Sequence, residues 1–313
     1  MEKVTELIKN AKKAVILPHI SADADALASC QAMKCVLLGF GIDAVIIAEE
    51  AVEARLGFIS DGIEVYDGEA GEPDTCIVLD CGDIERTGKR AEIAEKAKTV
   101  INIDHHKTNT RFGDACFVVD TASATGEILY SLFKTMGVEI TRDIAKYLYT
   151  AICSDTGCFA YSNVSPDTFI SASELIKYDI NHAEIARLLF DCVDMDEEFL
   201  KAELTKNIKS YCDGKVRTVV MTEEFAKRFG LNTDEVDGLV DMPRRIRGTE
   251  IAAALKEVNG KIRVSLRSNG DADVSKVALK FDGGGHIKAA GCSIYDDIET
   301  AEKLIVSACG EVL

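Results

Sequence analysis

The stretch Val100-Ile101-Asn102-Ile103-Asp104-His105-His106 is short and mostly apolar, and it ends in one carboxylate and two imidazoles. An apolar run of this length, bounded by polar residues, reads as a buried strand. Its metal-binding side chains then fall at the strand's carboxyl end. Other segments repeat the arrangement. The strand read over Ala14–Pro18 leads into His19-x-x-x-Asp23-x-Asp25, and the strand Ile77–Leu79 into Asp80. The helix read over Arg142–Ser154 leads into Asp155-Thr156-Gly157.

Working outward, strands alternate with helices through the first part of the chain. Asp25–Leu38 is amphipathic and stops at Gly39, Ala44–Ala48 is strand-like, and a helix is expected across Arg90–Lys98. Such alternation predicts a parallel sheet covered on both faces. Helices follow at Ala124–Met136, Pro166–Lys177 and His182–Phe190. The charged segment Asp194–Tyr211 reads as a connecting helix. Beyond it, strands at Lys215–Met221, Thr249–Val258, Lys261–Ser268 and Gly291–Tyr295 accompany helices at Thr222–Phe229 and Val274–Phe281. Asn259-Gly260 is a two-residue hairpin signal. The expected fold is therefore α/β, with a catalytic parallel-sheet domain over residues 1–190. A connector helix over 191–213 and a smaller α/β domain over 214–313 complete it.

In an open α/β sheet the strand carboxyl ends form one rim, where ligands bind. His19, Asp23, Asp25, Asp80, Asp104, His105, His106 and Asp155 would meet there. Imidazole with carboxylate suits manganese, iron or zinc, and oxygen-rich sites favour manganese or magnesium. Two such ions roughly 3.5–4 Å apart activate water and neutralise charge on an attacked phosphate. Each piece alone has a blander reading: Asp23 as a helix cap, Asp80 as a turn residue, adjacent histidines as surface groups. Their recurrence at successive element ends favours the site. His182 opens a helix with no acidic cluster beside it and reads as a surface or capping residue.

Gly283-Gly284-Gly285-His286 is a second constellation. Consecutive glycines permit close backbone approach to an anion, and Arg267 offers a forked donor suited to phosphate. A flexible loop is the bland alternative. No phosphate-loop or dinucleotide-binding motif occurs.

Composition bounds the function. The chain has 313 residues, 47% hydrophobic and 28% charged, with net charge −17. Residues 1–213 carry −16 of that charge and 214–313 carry −1, so a basic footprint for long nucleic acid is lacking. No apolar run approaches the roughly 20 residues of a membrane helix, and the N-terminal segment lacks the pattern of a signal peptide. A soluble, cytoplasmic protein is expected. The 11 cysteines include no C-x-x-C pair and read as reduced, mostly core residues; a zinc or iron–sulfur site is the sharper alternative.

In this order the motifs resemble the DHH phosphoesterase superfamily with its DHH-associated C-terminal domain. Asp104-His105-His106 matches the signature that names the family. His19, Asp23 and Asp25 match its first motif, Asp80 its second, and Asp155 its fourth. Gly283-Gly284-Gly285-His286 matches the motif of the associated domain. The segments Asn109-x-x-Phe112-Gly113-Asp114 and Asp241-Met242-Pro243-Arg244 look like the bacterial oligoribonuclease and pAp-phosphatase branch.

The resemblance implies that His19, Asp23 and Asp80 hold one divalent ion, and Asp25, Asp80, His105 and Asp155 the other, with Asp80 bridging. Manganese is the expected metal and magnesium the alternative. His106 would contact the scissile phosphate or orient the attacking water, and Asp104 would brace the histidines. Arg267, Gly283, Gly284, Gly285 and His286 would bind substrate from across a cleft between the domains. Ser123, with Thr125, would stand near the site. Cys81 departs from the threonine frequent after the bridging aspartate, and its thiol would make the site oxidation-sensitive. The implied substrates are oligoribonucleotides of a few residues, including pApA and pGpG, and pAp, with long nucleic acid and membranes excluded. Family members are often dimers, so a homodimer is an expectation that no sequence feature establishes. The competing readings are a RecJ-like single-strand exonuclease, a pyrophosphatase or exopolyphosphatase of a related branch, and a nucleotide-binding module without catalysis.

Overall fold

The computed structural model describes residues 1–68 and 71–313, which form two compact units, Met1–Cys192 and Val193–Leu313.

The first unit opens with helix α1 (Glu2–Asn10) and is built on six strands: β1 (Lys13–Leu17), β2 (Asp43–Ala48), β3 (Ile63–Val65), β4 (Thr75–Leu79), β5 (Thr99–Asp104) and β6 (Ala115–Val118). All pair in parallel, in the order β3-β2-β1-β4-β5-β6. The strand order reverses between β1 and β4, and a crevice outside the carboxyl ends is the expected ligand position at such a point. Alternation along β1 shows why its run is continuously apolar. Ala14 and Ile16 enter one core cluster, with Met33, Phe133 and Leu148. Val15 and Leu17 enter the opposite one, with Val78 and Ile93. Both faces are buried, so neither residue class of the strand can be polar.

The helices of this unit are α2 (Ala24–Gly39), α3 (Ala91–Lys96), α4 (Thr125–Met136), α5 (Arg142–Asp155), α6 (Pro166–Leu175) and α7 (His182–Phe190). Every residue of α2 from Ala24 to Met33 is buried, as expected of a helix enclosed on all sides. Gly126 lets α4 approach α5: a Cβ there would lie 2.5 Å from the Ala151 Cβ. Strands β3 and β6 were not expected. Both are short sheet edges with half-exposed residues, so their sequences lack the apolar run that marked the central strands.

The second unit contains α8 (Met195–Lys206), β7 (Lys209–Tyr211), β8 (Val216–Met221), α9 (Glu223–Lys227), α10 (Asp241–Arg244), β9 (Ile251–Val258) and β10 (Lys261–Ser268). It continues with α11 (Val274–Leu279), β11 (Gly284–His286), β12 (Ala289–Ile294) and α12 (Ile298–Gly310). Its sheet runs β11-β12-β10-β9-β8-β7, with β8 and β9 parallel and the other pairs antiparallel. Asn259 and Gly260 both have positive φ, 49° and 76°, as a tight hairpin turn demands.

One expectation needs correction here, and one bland alternative falls. The connecting helix stops at Lys206, and Lys209–Tyr211 is an edge strand paired with β8. Leu200 and Leu204 pack α8 against Val219, Met221 and Ala254, so this helix helps to cover the second sheet. The glycine run is also not simply a loop, because Gly284–His286 pairs with β12. Among the described residues no helix is long and apolar enough to cross a membrane.

Candidate metal centre

His19 lies two residues beyond β1. Its Nδ1 is 2.7 Å from the Ile20 carbonyl, which assigns the proton to Nδ1 and leaves the Nε2 lone pair free. That Nε2 is 3.7 Å from Asp80 Oδ2 and 3.9 Å from Asp23 Oδ1. Asp23 is also the N-cap of α2, accepting from the Ala26 amide at 3.0 Å. The bland and functional readings of this residue are thus compatible.

Asp25 is in the first turn of the same helix and is fully buried. Its Oδ1 accepts from Ser29 Oγ at 3.0 Å and the Gly126 amide at 3.2 Å, and its Oδ2 from the Thr125 amide at 2.8 Å. Asp80 follows β4 directly with a φ of 55°, a conformation sparsely populated by residues with a Cβ. Its Oδ1 is 3.4 Å from His105 Nε2. The same His105 nitrogen is 3.3 Å from Asp155 Oδ2, at the end of α5. His106 Nδ1 donates to Asp104 Oδ1 at 2.7 Å.

Three overlapping ligand groups result: His19, Asp23 and Asp80; Asp80, His105 and His106; and Asp25, His105 and Asp155. Within each, one donor atom per residue lies within 4.8 Å of the others. The arrangement brings together every metal-binding residue expected from the sequence.

The donor set fits divalent cations. Burial first, then the charges of Asp80, Asp155 and Asp23, pushes the Asp25 carboxyl well above its ordinary value. Asp155 is raised likewise by burial and by Asp23 and Asp80. Carboxylates pressed together out of water require a positive partner to stay charged. Burial works against a charged His106, but the Asp104 hydrogen bond and the charge of Asp80 outweigh it and raise this imidazole to about 9. Burial opposes ionisation of Asp104 too, and the bonds from His106 and Asn109 overcome it and lower its pKa. Carboxylate with imidazole matches manganese, magnesium, iron or zinc.

Several sequence expectations meet a different environment. Ser123 is fully buried, and its Oγ donates to Glu127 Oε2 at 2.5 Å. The structure places this hydroxyl inside a brace with Thr168, which binds the same oxygen at 2.9 Å, not on a substrate-facing surface. Cys81 is buried and donates to the Asp83 carbonyl. Burial pushes its thiol to about 12, so it is not an oxidation-prone group. All 11 cysteines are unpaired. Of these, Cys158, Cys192 and Cys212 are exposed, outside the core expected for most of them. His182 is exposed, behind the Asn181 cap.

Other residues bear on the centre. Thr125 Oγ1 binds Asp80, a contact made possible by the junction of α4 with the β4 end. Arg86 lies 3.4 Å from His19 Nδ1. Asn163 Nδ2 donates to the carbonyls of Ser123 and Asp155, each at 3.0 Å. Nothing in their local sequence marks Arg86 or Asn163 for this; Arg86 lies in the short 3-10 helix Ile84–Arg90, and Asn163 in the loop between α5 and α6.

In the second unit, Arg267 of β10 and His286 of β11 both stand opposite Ala289 of β12. Directly opposed residues share a sheet face, so both side chains project to one side with a methyl between them. The glycines have structural reasons for being there. A Cβ at Gly283 would lie 2.3 Å from the Gly291 carbonyl, and Gly285 has a φ of 140°.

Comparison with known proteins agrees with this geometry. The DHH family N-terminal domain matches residues 13–152, and the DHHA1 domain matches 215–311. The bifunctional oligoribonuclease and PAP phosphatase NrnA of Thermus thermophilus is 29% identical over 319 residues, covering 100% of this chain and 94% of its own. Its Bacillus subtilis namesake is 29% identical, covering 93% of each chain. The crystal structure of an exopolyphosphatase-related protein from Bacteroides fragilis superposes with a TM-score of 0.93 at 26% identity, covering 99% of this chain and 95% of its own. RecJ of Thermus thermophilus with Mn2+ gives 0.55 at 12% identity over 54% of that chain, a likeness of fold alone. The chain carries a DHH family N-terminal domain, followed in sequence by a DHHA1 domain.

Proposed function

We propose that this protein is a two-metal phosphoesterase that cleaves short oligoribonucleotides to mononucleotides and removes the 3′-phosphate of pAp. The observation that carries the reading is the sharing of Asp80 between two ligand groups, one with His19 and Asp23 and one with His105 and His106. A shared carboxylate between two imidazole-bearing groups is suited to a pair of ions. In our reading His19, Asp23 and Asp80 hold one, and Asp25, Asp80, His105 and Asp155 the other. Manganese is preferred and magnesium is the alternative. When bound, the pair supplies an activated water and a positive field for the phosphate under attack.

The chain's own residues orient and hold. His106, fixed by Asp104, presents its remaining nitrogen to the scissile phosphate. Arg267 and His286, with the backbone of Gly283–Gly285, take the substrate's far phosphate or base. The acidic first unit adds repulsion against long polyanions. The names of the NrnA relatives support both activities. A cytoplasmic location goes with this reading.

A product-resolved digestion with manganese tests it, using pAp, pApA, graded short RNAs and a long single strand. Release of AMP from pAp and of mononucleotides from the short RNAs is expected. Processive degradation of the long strand with pAp untouched would establish the RecJ-like alternative. Substrate binding without turnover of any of them would leave a nucleotide-binding module.

A further inference from the structure

Asn102 is a fully buried amide inside β5, the one polar interruption of an otherwise apolar strand core. An amide buried there is costly unless its hydrogen bonds are made. They are made in one direction. Asn102 Nδ2 donates to the Cys81 carbonyl at 3.0 Å, and its Oδ1 accepts from Asn109 Nδ2 at 2.9 Å. Asn109 Nδ2 has a second proton, and its nearest acceptor is Asp104 Oδ2 at 2.6 Å. Asn109 Oδ1 accepts from the Arg111 amide at 2.6 Å. That backbone donor fixes which end of the Asn109 amide faces Asp104, and the Asn102 orientation follows from it.

The two ends of this chain of bonds are informative. At one end, Asp104 is left with Oδ1 for His106 Nδ1, at 2.7 Å. The imidazole is then held by Nδ1, which also lies 3.8 Å from Asp80 Oδ1. At the other end, the Cys81 carbonyl belongs to the residue after Asp80, the left-handed position. Two further backbone bonds close the loop: Thr110 to the Gly82 carbonyl at 2.8 Å, and Asn109 to the His106 carbonyl at 3.1 Å. The segment after β4 and the segment after β5 are thus tied through two amides.

We infer that Asn109, backed by Asn102, is a positioning residue that sets His106 through Asp104 and at the same time holds the turn presenting Asp80. The inference deepens the function proposed above and rests on it for its kinetic consequence. Outer partners of this kind commonly change activity or metal affinity by about 10- to 100-fold when removed. The alternative is that the amides are only satisfied filler.

The test uses the full chain with Asn109→Ala and the isosteric Asn109→Asp. In proton NMR of the protein without substrate, the His106 Nδ1 proton, assigned by its loss in His106→Gln, should give a downfield resonance. It should shift upfield or broaden in Asn109→Ala. With manganese and pAp, kcat should fall about 10- to 100-fold, while KM and bound manganese stay near wild type. Asn109→Asp fills the same space but cannot donate, and it sets a second carboxylate against Asp104. It should fall at least as far as Asn109→Ala. Wild-type kcat and an unmoved resonance in Asn109→Asp would overturn the relay. If Asn109→Asp does not fold, Asn109→Ala carries the same decision. If the wild-type protein hydrolyses no phosphoester, the proposed function fails, and the resonance alone decides the relay.

Discussion

Thr125 Oγ1 donates to Asp80 Oδ1 at 2.9 Å, across 45 residues of sequence. The amide of the same threonine donates to Asp25 Oδ2 at 2.8 Å. One residue at the start of α4 therefore orients carboxylates from two different ligand groups. Thr125→Val keeps the shape and the amide but removes the hydroxyl. Activity or metal affinity should fall about 10- to 100-fold, while Thr125→Ser should retain most of both. Equal activity in Thr125→Val would show that the hydroxyl does not orient Asp80.

Asp80 joins two ligand groups, so its removal should be felt by both. Asp80→Ala should abolish turnover and lower the bound metal per chain, measured by elemental analysis. The carboxylates of Asp25, Asp80 and Asp155 repel one another. Manganese should therefore raise the melting temperature of the wild type, by mass action on the folded state. In chelator, Asp80→Asn should melt no lower than the wild type, and with manganese it should melt lower. Unchanged turnover in Asp80→Ala would remove the two-metal reading.

The sequence displayed the centre more clearly than the scaffold. His19, Asp23, Asp25, Asp80, His105 and Asp155 stand at ends of elements whose apolar runs are easy to see, because central strands are buried on both faces. Strands β3 and β6 lie at the edges, where one side is open and the alternation fades. Ser123 and Thr125 show a different limit. Both are hydroxyl residues at the start of one helix, and only coordinates reveal that Ser123 turns to Glu127 while Thr125 turns to Asp80. The glycine run illustrates a third. Gly283 and Gly285 are required by close approach of β12 and by backbone conformation, which sequence cannot separate from a demand for anion binding.

Asp74 gives a pH signature away from the centre. Its carboxylate accepts from the amides of Lys12 and Lys13 at 3.2 and 3.0 Å and from Thr75 Oγ1 at 2.9 Å. Burial pushes its pKa up, but these bonds outweigh burial and hold it below the ordinary value. A depressed carboxylate stabilises above its unfolded pKa, about 3.9, and that contribution is lost as pH falls through the folded value. Asp74→Asn should lower the melting temperature at neutral pH, and the difference should close below pH ~4. A difference that persists in acid would mean that the charge is not what ties β1 to β4.

Arg86 stands 3.4 Å from His19 Nδ1, yet that nitrogen's proton is committed to the Ile20 carbonyl at 2.7 Å. With Nδ1 protonated, the guanidinium gains no acceptor from the ring. It is exposed beside a ligand of the centre, where a phosphate oxygen would suit its forked donors. A charged hydrogen bond is worth about 1.5–3 kcal/mol, so Arg86→Gln should lower kcat/KM for pAp about 10- to 100-fold with metal content intact. Loss of metal in this variant would recast Arg86 as support for His19.

Arg267 and His286 flank Ala289 on one sheet face, two strands apart. Strands are spaced about 4.8 Å, so the two backbones stand roughly 9–10 Å apart and their longer side chains can converge over the small residue between them. A phosphate or base resting there would be gripped from two sides. Neither residue belongs to a ligand group of the centre. Arg267→Ala and His286→Ala should therefore raise KM or shift length preference among short RNAs, with bound manganese unchanged. The double variant should cost less than the product of the single effects if both grip one group. Should either single variant lose metal, the division between a metal-holding unit and a substrate-holding unit is wrong. Enlarging Ala289 to Leu supplies an independent check, since a bulky side chain between Arg267 and His286 should raise KM while both remain in place.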